Sequence, residues 1–164
     1  VIDFMVIAAP RSATAWCANW LTTDDSLCLH CLSAEKHYTA WDEITGENGK
    51  MIGVSDTFIG RFPSWLNSHS SRKVIVHRDV RDISKSLDMD VSSIDFGLDK
   101  IKGMHVQYSD LFDSPQPIYE YLLQKVFDKH RHDLLRSLQV NVMAEKIKID
   151  KSAFYRLIGE LSHA

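Results

Sequence analysis

The chain has 164 residues, of which 45% are hydrophobic and 25% charged, and its net charge at neutral pH is −3. That length suits one domain with a sizeable core, and the slightly acidic balance gives no general pull toward nucleic acid or anionic membranes. No apolar run approaches the roughly 20 residues that span a bilayer. Asp3 and the early Pro10-Arg11 interruption are unlike a secretory signal, so a soluble, cytoplasmic protein is expected.

Residues 4–9, FMVIAA, are continuously apolar, as in a strand covered on both faces of a parallel sheet. Pro10 ends the run, and Thr14 is placed to cap a helix over 14–21 that carries Trp16, Cys17, Trp20 and Leu21. Such a junction gathers free backbone N–H groups and the positive end of a helix dipole, which suits a phosphate. Arg11 adds a cation there, and Ser12 and Thr14 add hydroxyls. A strand at 27–31 follows, then a helical stretch over 34–44, a turn at 46–49, a strand at 51–54 and a helix near 63–68.

The run KVIVH at 73–77 is a β-branched strand with Arg78 at its carboxyl end. Asp79 caps a helix over 81–87, Asp82 falls in its first turn, and Val80, Ile83 and Leu87 share one face. An amphipathic stretch at 94–101 leads to a strand at 104–107. Beyond Pro115 and Pro117 the chain reads as helical, with a final strand at 139–143. This alternation predicts an α/β domain over residues 1–164: a mostly parallel sheet wrapped by helices, with right-handed crossovers.

Cys17, Cys28 and Cys31 are an odd number, which argues against a disulfide framework. Cys28 and Cys31 form a C-x-x-C pair, but its surroundings read as a strand rather than a redox helix start. His30 and His37 lie nearby without the spacing of a zinc finger or ribbon, so buried reduced thiols and no metal are expected.

The loop at 10–16 is not a Walker A motif, for no Gly-Lys-Ser/Thr occurs in the chain. It resembles the 5′-phosphosulfate-binding loop of the sulfotransferases, in which Pro, Lys or Arg, Ser, Gly, Thr, Thr or Ala, and Trp follow one another. Pro10, Arg11, Ser12, Ala13, Thr14, Ala15 and Trp16 match at every position except the glycine. Arg78 and Ser86 reproduce the strand-Arg-x7-Ser-helix spacing that carries the 3′-phosphate contacts in that family. The segment 104–112, MHVQYSDLF, is similar to the family's strand ending in Tyr-Glu-Asp-Leu. Segments 53–57 and 27–32 resemble parts of compact bacterial and phage-type relatives, so the likeness runs in pieces from residue 3 to 112.

The resemblance implies a three-layer αβα sandwich of the P-loop NTPase type with a helical C-terminal part. It also implies transfer of a sulfuryl group from 3′-phosphoadenosine 5′-phosphosulfate to a hydroxyl or amine, leaving adenosine 3′,5′-bisphosphate. In that reading Arg11 is catalytic, stabilising the bridging oxygen as charge develops on it. Ser12, Ala13, Thr14 and Ala15 cradle the 5′-phosphate, and Arg78 and Ser86 hold the 3′-phosphate. Trp16 either packs on adenine or belongs to the core. His30, ending the second strand on the same rim, is the first candidate for general base, ahead of Glu35, His37 and Asp56. His77 alternates with Arg78 and is expected to point to the opposite face in a structural role.

Two departures stand out. Ala13 replaces a glycine that would permit positive φ and close approach to an anion. The family's C-terminal Arg-Lys-Gly-x-x-Gly-Asp-Trp-Lys segment has no counterpart, leaving Lys146, Lys148 or Lys151 to supply late charge. Two alternatives stay open. One is a kinase-like phosphotransferase using Mg²⁺ with Asp56 or Asp79. The other is a non-catalytic nucleotide-binding module, which exposure of Trp41 or Trp65 in an apolar patch would favour. The acceptor, small molecule or biopolymer, is not identified by any pattern; neither nucleic acid nor membrane is expected as a partner.

Overall fold

A computed structural model of the chain describes residues 1–46 and 49–137. Five parallel strands form one sheet in the order β2-β3-β1-β4-β5. They are β1 (Phe4–Ala8), β2 (Ser26–His30), β3 (Met51–Asp56), β4 (Arg72–His77) and β5 (Met104–Gln107). Helices flank both faces, giving the expected three-layer αβα arrangement of P-loop-like type. The central strand β1 is wholly buried because it is paired on both edges and covered on both faces.

Alternation along β1 divides the core. Phe4, Val6 and Ala8 join Val74 and Val76 under α1 (Thr14–Trp20), α5 (Pro115–Leu123) and α6 (Lys129–Ser137). Met5 and Ile7 join Ile52, Val54 and Ile75 beneath Trp41, Ile59 and Leu66, the last from α2 (Pro63–Ser68). Gly53 is required by the first layer: a Cβ there would stand 2.0 Å from the Phe4 ring. A third small cluster seats Ile83 of α3 (Val80–Leu87) against Ala9 and Val91.

The helix expected over 34–44 is instead two 3-10 turns, Leu32–Ala34 and Tyr38–Glu43. Tyr38, Thr39 and Trp41 are weak helix formers, and His37 provides no side-chain cap. Trp41 is fully buried and its indole donates to the Lys36 carbonyl at 3.0 Å, while the half-buried Trp65 packs edge-on against it and adjoins Tyr38, which stacks on the exposed Phe62. The amphipathic stretch at 94–101 gives only the turn Leu98–Lys100, interrupted by Gly97 at φ 73°. The remaining short helix is α4 (Asp110–Asp113). No helix among the described residues is long and apolar enough to cross a membrane. The strand expected at 139–143 and the lysines at 146, 148 and 151 lie outside the described residues.

The helical C-terminal part anchors α1 from behind. Arg131 of α6 donates to the Asn19 carbonyl at 2.8 Å and to the Trp20 carbonyl at 3.4 Å, groups that the end of α1 leaves without helical partners. His132 is buried among Trp16, Trp20 and Phe127, with its Nε2 donating to the Leu111 carbonyl at 2.9 Å.

Candidate functional site

The carboxyl ends of β1, β2, β4 and β5 converge on the loop between β1 and α1. Arg11 and Ala13 both adopt left-handed backbone conformations, at φ 63° and 64°. For residues with a Cβ this costs roughly 1 kcal/mol each. Ala13 therefore takes the conformation that glycine would take, and it does so at the N-cap of α1. Thr14 is not the cap; it is already in the first helical turn, and its hydroxyl turns sideways to His30. The N–H groups of Ser12, Ala13, Thr14, Ala15 and Trp16 find no backbone acceptor among the described residues. Ser12 is fully buried, and its Oγ likewise has no partner there.

Arg78 reaches this loop from the end of β4. Its Nη1 donates to the Arg11 carbonyl, and its guanidinium carbon lies 4.4 Å from the centroid of the Tyr108 ring. The stack fixes the plane of the guanidinium and supplies a cation–π contact. Its Nε is buried without an acceptor among the described residues. Arg11 in turn donates from Nε to Ser86 Oγ at 3.0 Å. Ser86 is carried on α3, whose start is fixed by Asp79 accepting from the Arg81 N–H at 2.7 Å. Four expected residues, Arg11, Thr14, Arg78 and Ser86, are thus tied into one constellation with His30.

Tyr108 was not singled out as a site residue, although its segment was. Its signal was position: an aromatic side chain just past the carboxyl end of β5, whose N–H bonds the His77 carbonyl at 2.7 Å and so brings it beside Arg78. His77 does face away from Arg78. It pairs with His105, Nε2 to Nδ1 at 2.8 Å, on the opposite side of the sheet.

Trp16 is a core residue. It is 2% exposed and packs on Trp20, Phe112 and His132, so no ring face is left for an adenine. This corrects its assignment to cofactor binding: its place on α1 turns it inward, toward α4 and α6.

The candidate bases separate clearly. His30 ends β2 with Nε2 at 3.2 Å from Thr14 Oγ1 and 3.2 Å from Cys31 Sγ. Burial holds its pKa below the ordinary value, while the nearby charge of Asp56 acts the other way. The shift favours the neutral ring, the form that can accept a proton. Asp56 is fully buried, and its carboxylate accepts from Ser33 N at 2.8 Å, Ser33 Oγ at 2.7 Å, Phe58 N at 2.7 Å and Ile59 N at 3.1 Å. Oδ1 takes three of these donors and Oδ2 the fourth, so the carboxylate holds two rim loops together, a structural role that accounts for its burial. His37 bonds Thr39 at 2.9 Å and stacks on Tyr38, and Glu35 lies exposed beyond the turn Leu32–Ala34.

Cys17, Cys28 and Cys31 are free thiols. Burial pushes Cys17 up to about 12 and raises Cys28 and Cys31, so all three are protonated at neutral pH. Among the described residues no group of three or more His, Cys, Asp or Glu side chains is placed to hold a metal ion. Neither a protein-family model, nor a curated protein, nor a solved structure gives a significant match to this chain.

Proposed function

We propose that this protein is a sulfotransferase that takes a sulfuryl group from 3′-phosphoadenosine 5′-phosphosulfate and gives it to a hydroxyl or amine acceptor. The observation that supports this reading is the linkage of two distant segments: Arg78 to the Arg11 carbonyl, and Arg11 to Ser86. A ligand with phosphates at both ends of one ribose needs two cation-and-hydroxyl sites a few ångströms apart, and these two hydrogen bonds bring them together.

In the proposed reaction the acceptor oxygen or nitrogen forms a bond to sulfur as the bond from sulfur to the 5′-phosphate oxygen breaks. The acceptor proton passes to His30, and the electron pair stays with the departing bisphosphate. Charge accumulates on that bridging oxygen, where the permanent cation of Arg11 is most useful. Ser12, Thr14 and the backbone from Ala13 to Ala15 receive the 5′-phosphate, while Arg78 and Ser86 receive the 3′-phosphate. Protonated free thiols at Cys17, Cys28 and Cys31 fit a reducing compartment such as the cytoplasm. A kinase-like reading has less support, because the chain carries no Gly-Lys-Ser/Thr and Asp56 is buried under four hydrogen-bond donors.

Thermal unfolding tests the reading. Adenosine 3′,5′-bisphosphate at a hundredfold excess over its dissociation constant stabilises its receptor by about 2.7 kcal/mol. The proposal expects such a shift with this ligand, a smaller one with 5′-AMP, and sulfated product from a panel of acceptors. Stabilisation by ATP with Mg²⁺ alone would favour a kinase, and binding without product would favour a nucleotide-binding module.

A further inference from the structure

His30 meets the loop through a single ring nitrogen. Thr14 Oγ1 and Cys31 Sγ both lie 3.2 Å from Nε2, whereas Nδ1 has no partner among the described residues. Both neighbours are ambivalent groups, able to donate or to accept. Thr14 is 6% exposed, and no other acceptor for its hydroxyl proton is found among the described residues. A buried hydroxyl seldom leaves its proton unused. In this arrangement, therefore, the O–H donates to Nε2, and the neutral ring carries its own proton on Nδ1. The nitrogen without a partner is then a donor, and the ring cannot accept a proton there.

An anion in the loop reverses this order. Phosphate oxygens accept only, so a Thr14 hydroxyl bonded to one must give its proton to the anion and turn a lone pair to the ring. Nε2 must then bear the hydrogen, and Nδ1 is left with the lone pair. The thiol of Cys31 accommodates either state: it donates to Thr57 Oγ1, 4.0 Å away, while Nε2 accepts from Thr14, and its sulfur accepts weakly once Nε2 bears the hydrogen.

We infer that Thr14 is a positioning residue that couples occupancy of the anion loop to the tautomer of His30, so that Nδ1 becomes a general base only when the nucleotide is bound. This rests on the proposed nucleotide reading and adds to it which nitrogen takes the acceptor proton and when. It also gives the site a safeguard: a free acceptor meets a ring whose available nitrogen is already protonated.

The test follows the ¹⁵N signals of the His30 ring at a pH where it is neutral, assigned by their loss in His30→Gln. Adenosine 3′,5′-bisphosphate is the probe, and its binding is measured in parallel by calorimetry. The wild-type ring should move from the Nδ1–H to the Nε2–H form as the probe saturates the protein. Thr14→Ser, which keeps the hydroxyl, should show the same change. Thr14→Val should bind more weakly and show no change at saturation; its near-identical shape protects the fold, and Thr14→Ala provides the same hydroxyl-free comparison if valine does not fold. Binding without a change of tautomer in the wild type overturns the inference and leaves the nucleotide reading standing. The same change in Thr14→Val as in wild type overturns the role of Thr14. No binding of the probe overturns both.

Discussion

Arg11 and Ser86 are 75 residues apart in the chain, yet the guanidinium Nε of one donates to the hydroxyl of the other at 3.0 Å. Together with the bond from Arg78 to the Arg11 carbonyl, this makes the β1–α1 loop, the end of β4 and the last turn of α3 a single polar surface. Removing Arg78 should therefore affect one end of a bisphosphate ligand selectively. A hydrogen bond to a charged group contributes about 1.5–3 kcal/mol, or roughly ten- to more than a hundredfold in affinity. Arg78→Ala should lose that much toward adenosine 3′,5′-bisphosphate and little toward 5′-AMP by calorimetry. An equal loss for both would remove Arg78 from the 3′-phosphate.

Arg11 is assigned to the bond that breaks, so its effect should appear in rate. Removing a donor from a developing negative charge typically costs about a hundredfold or more in turnover. Arg11→Ala should lower kcat by that order while the affinity for the bisphosphate product falls by much less. A variant that turns over at the wild-type rate would take Arg11 out of the mechanism.

Ala13 provides a test on stability alone. Its φ of 64° suits glycine better than alanine, by roughly 1 kcal/mol. Ala13→Gly should raise Tm by about 2–4 °C for a chain of this size. A lower Tm would mean that the methyl group contributes more through packing than it costs in backbone strain.

Asp56 holds two rim loops by accepting from Ser33, Phe58 and Ile59. Asp56→Ala strands those donors, and leaving buried donors unmet costs on the order of 3 kcal/mol or more. A fall in Tm of roughly 10 °C is expected. If the variant instead unfolds like wild type but loses catalysis, the carboxylate has a chemical role after all.

The His77–His105 pair sets a pH dependence. His105 donates from Nε2 to the Ile101 carbonyl at 2.8 Å, so its Nδ1 presents a lone pair to the Nε2–H of His77. Burial first, and then the charge of His105, hold the pKa of His77 below its ordinary 6.5, with Asp99 opposing. The folded state thus binds fewer protons than the unfolded chain below 6.5. The corresponding stability is full above that pH and is lost as pH falls toward the lower folded value. Tm measured from pH 8 to pH 5 should fall on acidification, and less steeply in His77→Asn. An unchanged slope in that variant would assign the effect to other groups.

The sheet was legible because β1, β3 and β4 are dense in apolar, often β-branched residues and are followed by turn or capping residues. The spacing from Arg78 to Ser86 also translated directly into space, since a strand end and a capped helix fix both positions. Ala13 was visible as a departure, but its conformation was not, because sequence alone does not say whether a loop yields to its residue or the reverse. Trp16 could not be placed without knowing that α6 packs behind α1. Asp56 looked like chemistry because a carboxylate at a strand end is a common catalytic position; only its four donors reveal a structural use. The turns at 32–43 were misread as helix because apolar spacing was counted while weak propensity and absent caps were not.

Arg131 grips the carbonyls at the far end of α1, and this has a practical corollary for anyone seeking a minimal version of the protein. A fragment halted after β5 would contain every residue assigned a role in the chemistry and still expose the Trp16–Trp20 face to water. Such a piece would aggregate before it could be assayed, so protein shortened from the C-terminus should retain α6 whole.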